Sequence, residues 1–86
     1  MSSRRSKFQL SIEVLETISQ GEYRPTRLMY ACNLSWSSMK NVLGILEAKG
    51  YIEDLSEEGM RKHLSITDNG KELLGYFAGL ENLVQV

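Results

Sequence analysis

Apolar and polar residues alternate along this chain with the periods of helices and strands. In the first stretch, from about Lys7 to Gln20, the apolar positions return every three or four residues. They are Phe8, Ile12, Leu15 and Ile18. Residues at this spacing share one face of a helix, so the pattern predicts an amphipathic first helix that ends at Gly21.

Two further helices are predicted on either side of a short corner. The first runs from Pro25 to Cys32 and the second from Ser35 to Lys49, with Asn33-Leu34 between them. Pro25 suits a first helical turn because its missing N–H is not needed there. The Ser35 hydroxyl is a good N-cap, and Gly50 is a good C-terminal stop. Two helices joined in this way form a helix-turn-helix, whose second helix commonly reads DNA.

The longer of these helices has two unlike faces. Four apolar residues define the face that we expect to be buried: Met39, Val42, Leu43 and Leu46. Four small, amide or cationic residues define another face: Ser37, Lys40, Asn41 and Gly44. The second face suits phosphates and base edges. An ordinary solvated helix face explains the same pattern equally well at this point.

A β-hairpin is predicted after Gly50. The segments Tyr51–Leu55 and Met60–Ile66 are typical of short strands around the turn at 56–59, and Leu64 and Ile66 alternate with a serine. A hairpin after a helix-turn-helix is a wing. Its second strand carries Arg61, Lys62 and His63, which could contact a duplex backbone. Glu57 and Glu58 at the tip of the hairpin would repel phosphate. We therefore expect the strands of the hairpin, and not its tip, to contact the DNA backbone.

The last helix is predicted to begin after Thr67, as N-cap, and to carry more apolar surface than one small core requires. We expect residues 1–66 to form the binding domain and residues 67–86 to form a dimerisation helix. The expected dimer interface consists of Leu73, Tyr76, Phe77, Leu80, Leu83 and Val84. The alternative is a helix folded wholly onto its own domain.

Length and composition narrow the class of protein. Eighty-six residues with 42% hydrophobic side chains form one small domain. The one cysteine, Cys32, excludes an internal disulfide or a cysteine zinc site, and we expect it to be buried. No apolar run is long enough to cross a membrane and there is no secretory segment near Met1, so a cytoplasmic location is expected.

The distribution of charge is more informative than its sum. The net charge is −1 and the pI is about 5.8, which argues against an indiscriminate polyanion binder. Residues 1–12 and 23–46 nevertheless contain cations and no acid. In the second window these cations are Arg24, Arg27 and Lys40. We interpret Arg27 as a phosphate contact, and a salt bridge to Glu22 is the alternative.

The residues of an enzyme site are not found. His63 is the only histidine and lies in a basic stretch, and Gly75 and Gly79 within a helix do not form a phosphate loop. The acidic pairs at 53–54 and 57–58 are explained by hairpin solvation. We therefore expect no enzymatic activity, no cofactor and no metal, and no small-molecule ligand is evident.

Several short blocks resemble a known family. These blocks are Arg5-Ser6-Lys7, Thr26-Arg27-Leu28-Met29-Tyr30, Asn33-Leu34-Ser35-Trp36, Gly50-Tyr51-Ile52 and Thr67-Asp68-Asn69-Gly70. Together they are similar to the archaeal winged helix-turn-helix transcriptional regulators, whose domain also occurs in small archaeal chromatin proteins. The resemblance covers about Arg4 to Leu83. It implies a winged helix that binds double-stranded DNA, commonly as a dimer joined through its C-terminal helix.

The resemblance also implies roles for particular residues. It implies that the helix beginning at Ser35 recognises DNA. It also implies that the basic segment around Arg5 and Lys7 contributes to DNA binding. It favours packing beneath the corner for Trp36, and the alternative is a ring that faces the duplex. Pro25 departs from the family because a basic or small residue is common there. The last helix is shorter than in the chromatin members, which favours a compact dimer over a long rod.

The sequence thus predicts an α+β, mostly α, winged helix that binds double-stranded DNA as a dimeric transcriptional regulator. The expected DNA-binding residues are Arg5, Lys7, Arg24, Arg27, Ser35, Ser37, Ser38, Lys40, Asn41, Arg61 and Lys62. Asn41 is the best candidate for base readout, because an amide can pair with adenine. A protein-binding winged helix is the main alternative, and a non-specific chromatin protein is the other.

Overall fold

A computed structural model describes residues 6–57, 59 and 61–84, with the backbone alone for 80–84. These described residues form four helices and one antiparallel hairpin. In chain order these elements are α1 (Lys7–Ser19), α2 (Pro25–Ala31), α3 (Trp36–Ala48), β1 (Ile52–Asp54), β2 (Leu64–Ile66) and α4 (Asp68–Val84). The α+β, mostly α architecture is therefore as predicted. Within the described part of the chain, no helix combines the length and apolarity that a membrane crossing requires.

Local signals set the helix ends as the sequence indicates. The Ser35 hydroxyl accepts the N–H of Ser38 at 3.2 Å and caps α3. After α2, Asn33 takes a left-handed conformation with φ of 55°, and the Leu34 N–H donates to the Met29 carbonyl oxygen. After α3, Gly50 takes the same role with φ of 76°. Both helices thus end in Schellman motifs, which turn the chain sharply at the corner and at the start of the hairpin.

The core lies where α1, α2, α3 and the hairpin meet. Its fully buried side chains are Val14, Leu15, Leu28, Met39, Leu46 and Leu64. The predicted apolar face of α3 is buried, as are three of the four apolar residues expected in α1. Phe8 is the exception. It remains 54% exposed, and its ring packs edge-on against Phe77 of α4 with centroids 5.5 Å apart.

Cys32 lies inside the core, as expected. Its side chain is 4% exposed, and its sulfur is 3.7 Å from the hydroxyl of Thr17 on α1. This contact joins the end of α2 to α1 next to the corner of the helix-turn-helix.

The strands are shorter than predicted because a side chain interrupts the ladder. Ile52 pairs with Ile66 and Asp54 pairs with Leu64. One pair further, Leu55 N–H still donates to the His63 carbonyl oxygen at 2.8 Å. The His63 N–H instead donates to the Asp54 carboxylate at 3.2 Å, so regular pairing ends there. Met60, the predicted start of the second strand, and Glu58 at the tip lie outside the described residues.

The start of α4 is held tightly against the end of α3 and the start of β1. Thr67 donates its backbone N–H to the Tyr51 carbonyl oxygen at 3.0 Å, and its hydroxyl accepts the N–H of Gly70 at 3.1 Å. Gly70 is buried, and a Cβ there would meet the Tyr51 carbonyl oxygen and come within 2.7 Å of Ile66 Cγ1. Glycine is therefore required for the close approach at this junction.

Candidate nucleic-acid interface

The two faces of α3 point in opposite directions. Its apolar face enters the core, while Ser37, Lys40, Asn41 and Gly44 are exposed. Among the residues that the structure describes, no carboxylate forms a salt bridge with Lys40. The small, amide and cationic side chains of this face are therefore exposed, and Lys40 is not ion-paired within the described part of the chain.

The serines at the start of α3 form a hydrogen-bonded group. The Ser35 hydroxyl caps the helix and also donates to the Ser38 hydroxyl at 3.1 Å, while the Ser37 hydroxyl lies 3.5 Å from that of Ser35. Ser38 is half-buried and Ser37 is exposed. Of the three, Ser37 is therefore the serine best placed to contact a ligand.

A cleft of about 810 Å³ brings together cations from three separate parts of the chain. Arg24 comes from the segment before α2, Lys40 from α3, and Arg61 and Lys62 from the wing. The full lining is Arg24, Pro25, Thr26, Trp36, Lys40, Leu43, Gly44, Glu47, Arg61 and Lys62. We call this the basic cleft. Positive side chains converging beside an exposed helix face form a surface that attracts a polyanion.

The wing is tied to the segment before α2. The Leu64 N–H donates to the Tyr23 carbonyl oxygen at 2.9 Å, and the Tyr23 ring stacks on the His63 ring with centroids 4.2 Å apart. The Arg24 guanidinium carbon lies 5.2 Å from the centroid of the same Tyr23 ring. These contacts fix Arg24 and the wing cations relative to each other, which is what gives the basic cleft a defined shape.

Asp54 holds the base of the wing. Its carboxylate accepts the backbone N–H of Ser56 at 2.9 Å and that of His63 at 3.2 Å. Hydrogen bonds from the Ser56 side chain and backbone, then from the His63 backbone, hold the pKa of Asp54 below its usual value, and the charge of Lys62 contributes. Asp54 is therefore more than a solvated hairpin acid, because it fixes the backbone that carries Lys62 and His63.

Glu22 does not form the salt bridge considered for Arg27. Its carboxylate accepts the backbone N–H groups of Tyr23 and Arg24, at 3.1 and 3.2 Å. Arg27 is exposed and makes no ion pair among the described residues. Its guanidinium is therefore accessible, although Arg27 does not line the basic cleft.

The expected packing of Trp36 is wrong. Trp36 is the first residue of α3, directly after the cap, and it is 50% exposed at the wall of the basic cleft. Tyr30 on α2 is exposed to 76%. Neither ring packs beneath the corner, so both are available to a partner.

Glu47 is the residue that the sequence analysis missed. It lines the basic cleft with Lys40 and Gly44, and it follows them at helical spacing on the same face of α3. The acid-free window of the sequence ends at residue 46, so it does not include Glu47. Helical spacing from Lys40 would have placed it correctly.

The basic segment at the N-terminus is only partly described. Arg5 lies outside the described residues. Lys7 is exposed and does not line the basic cleft. It lines a second cavity between α1, α3 and α4.

Part of the expected dimer face is used within the chain. Leu73 is half-buried against the core, and Phe77 contacts Phe8. Tyr76 is 69% exposed. The side chains of Leu80, Leu83 and Val84 lie outside the described set.

Comparison with known proteins identifies the family. A family model described as winged helix-turn-helix matches residues 4–85, and this confirms the resemblance inferred from the sequence. An uncharacterized protein of Methanocaldococcus jannaschii is 34% identical over 70 residues, which cover 81% of this chain and 67% of the relative.

Solved structures agree on the fold. MepR, a transcription regulator of the Staphylococcus aureus multidrug efflux pump MepA, matches 88% of this chain with a TM-score of 0.79 and 19% identity. The S. aureus MepR–DNA complex matches the same share with a TM-score of 0.76 and 18% identity. The chain spans 58% of the first structure and 65% of the second. At sequence identities this low, the match shows that the folds are similar and nothing more.

Proposed function

Because this chain belongs to the winged helix-turn-helix family, we propose that it binds double-stranded DNA as a dimeric transcription regulator. In this proposal α3 enters the major groove, with Lys40 and Asn41 toward the base edges. The observation that carries the proposal is the basic cleft beside the exposed face of α3. The DNA-bound MepR of similar fold lends support by analogy.

The residues around α3 have separable roles in this proposal. Asn41 reads adenine through its amide, and Lys40 contacts a base or a phosphate at the groove edge. Arg24, Arg61 and Lys62 contact phosphates on either side of the groove and set the register. Arg27 and Ser37 contact the same backbone from outside the cleft. Glu47 opposes phosphate at the far end of the face, which limits how far a duplex extends along α3.

We propose a symmetric dimer that joins through α4. Tyr76 is an aromatic residue largely exposed on this helix, and the exposed residues Gly75 and Gly79 would let a second helix approach closely. A two-fold arrangement would present both α3 helices to one side of a duplex. Half-sites would then lie roughly 34 Å apart, one helical turn of DNA.

The test is a fluorescence anisotropy titration with duplex DNA, first of mixed sequence and then of sequences selected from a random pool. Binding to the mixed duplex should weaken steeply between about 50 mM and about 200 mM salt, because bound phosphates release counterions. Selected duplexes should bind at least about a thousand-fold tighter. No binding at the lower salt concentration would contradict the proposal.

A protein-binding winged helix is the second candidate, and the exposure of Trp36 and Tyr30 favours it. Aromatic side chains of this kind are typical anchors of protein interfaces. The same titration separates the candidates, since a protein-binding module would leave the mixed duplex unbound at low salt. Equal affinity for selected and unselected duplexes would instead indicate a non-specific chromatin protein.

A further inference from the structure

A second cavity lies on a different part of the molecule from the basic cleft. Its volume is about 310 Å³, and it lies between α1, the end of α3, the start of the hairpin and α4, open to solvent on one side. Its lining is Lys7, Phe8, Ser11, Ile12, Ile45, Leu46, Lys49, Tyr51 and Leu73. None of these residues lines the basic cleft. We call it the lysine-rimmed cavity.

The floor of this cavity is apolar. Ile12 and Leu46 are buried core residues, and Ile45 and Leu73 are half-buried beside them. Phe8, although 54% exposed, forms part of the wall. Such a floor favours an apolar ligand body, because covering it removes hydrocarbon surface from water.

The polar groups of the cavity carry one sign of charge. Lys7 belongs to α1 and Lys49 caps the end of α3, and both side chains are exposed. Ser11 and Tyr51 add hydroxyl groups that can donate hydrogen bonds. The lining, all of it within the described residues, contains no carboxylate.

The helix dipoles do not decide the sign of the ligand. The first turn of α1 presents the positive end of a dipole, while the end of α3 presents the negative end of another. These contributions oppose each other, so the two ammonium groups determine the preference. An anionic group held between them would be paired from two helices.

We propose that the lysine-rimmed cavity binds a small amphipathic carboxylate, with its apolar body on the floor and its carboxylate between Lys7 and Lys49. A volume of about 310 Å³ is at the small end of ligand sites, which suits a body of one or two fused rings. The inference goes beyond DNA binding and does not depend on it. It requires only the fold and the cavity lining.

The test is a titration of the full chain, without DNA, with naphthoate and with its neutral amide, naphthamide. Two-dimensional NMR should show shifts confined to the amides that surround the cavity, such as those of Ser11 and Tyr51. Naphthoate should bind about five-fold tighter than naphthamide. This factor corresponds to a free energy at the upper end of the range for exposed ion pairs. Equal affinities, shifts mapping elsewhere or no binding of naphthoate would overturn the proposal.

Two variants sharpen the test. Lys49→Gln should reduce the preference for naphthoate, because Lys7 remains as the one ammonium group at the cavity, and it should leave naphthamide binding unchanged. Lys71→Gln is the matched control, since Lys71 is exposed on α4 and lines neither cavity. If Lys71→Gln lowers the affinity for naphthoate as much as Lys49→Gln does, the loss of affinity comes from the change in net charge. The proposal then fails.

Ile45→Trp should fill the cavity and abolish binding of both compounds while the spectrum stays dispersed. The mass of parent and variant in solution is measured on the same samples. Suppose that the parent is a dimer that binds no naphthoate, and that the Ile45→Trp variant is a monomer. A second copy of the chain would then occupy the cavity in the parent. That outcome would overturn the proposal. Lys49→Gln remains decisive if the larger substitution prevents folding.

Discussion

The hydroxyl of Thr67 donates a 2.6 Å hydrogen bond to the carbonyl oxygen of Gly50. The same hydroxyl accepts the N–H of Gly70, so one side chain links the end of α3 to the first turn of α4. Because Gly50 directly follows α3 and a side chain at Gly70 would clash with Tyr51 and Ile66, the start of α4 packs closely against the segment between α3 and β1.

The first prediction concerns this junction. Gly70→Ala should lower the free energy of unfolding by about 1–3 kcal/mol, because the new methyl group would overlap the Tyr51 carbonyl oxygen and Ile66. Gly44→Ala is the control, since α3 has open space at Gly44 and alanine should stabilise the helix by about 1 kcal/mol. Urea unfolding at a fixed protein concentration measures both. Equal effects of the two substitutions would show that the contact at Gly70 is not tight.

The second prediction concerns base readout. Asn41→Ala should weaken binding to a selected duplex by about 1–3 kcal/mol and relax the preference for adenine at one position. Folding should be unaffected because Asn41 is exposed. Anisotropy on the selected duplex and on single-base variants measures the effect. A variant that binds as tightly as the parent, with the same preference, would remove Asn41 from the reading surface.

The third prediction compares two charges at the basic cleft. Arg61→Ala should weaken binding to all duplexes alike and flatten the salt dependence by about 0.9 units of log–log slope. Glu47→Gln should strengthen binding to mixed duplexes, because it removes the acid beside Lys40 and Gly44. Salt titrations of both variants provide the measurement. If neither changes the affinity, the duplex does not enter the cleft.

The fourth prediction concerns assembly. Tyr76→Glu should release monomers, because a buried carboxylate at the proposed helix interface is costly. It should leave the fold of the monomer intact, since Tyr76 is 69% exposed. Lys71→Glu is the control for a new acid on the same helix. Analytical ultracentrifugation of the parent and both variants measures the mass in solution. If the parent is a dimer and Tyr76→Glu is a dimer too, the interface is not the exposed face of α4.

The fifth prediction concerns acid stability. The pKa of Asp54 is lowered in the fold, so its charged form stabilises the native state at pH values above the unfolded pKa, near 4. That stabilisation is lost as the pH falls through the lower folded value. Asp54→Asn should therefore be less stable than the parent at neutral pH, and the gap should narrow on acidification. Unfolding curves across the acidic range test this, and a constant gap would contradict it.

The elements could be predicted closely because their ends depend on neighbouring residues. Ser35, Asn33 and Gly50 act within their own turns, and the first three helices begin and end within one residue of the predicted positions. The ends of the strands could not be predicted in this way. They depend on the Asp54 carboxylate accepting the N–H of His63 across the hairpin.

The exposed face of α3 could be predicted because periodicity shows which side of a helix is apolar. The neighbours of that face could not, because they come from distant parts of the chain. The stacking of Tyr23 on His63 aligns Arg24 with the wing, and no local pattern indicates it. Packing was the wrong expectation for Trp36 because it rested on the family resemblance, whereas the position directly after the cap leaves the ring half exposed.

The burial of Cys32 has a practical consequence for work on this protein. It is the chain's one cysteine and is only 4% accessible, in contact with Thr17. A maleimide dye should therefore leave it unmodified in the native state. A cysteine substituted for the exposed Ser37 could then be labelled selectively. The fluorescence of the attached dye would report directly on the environment at the start of α3.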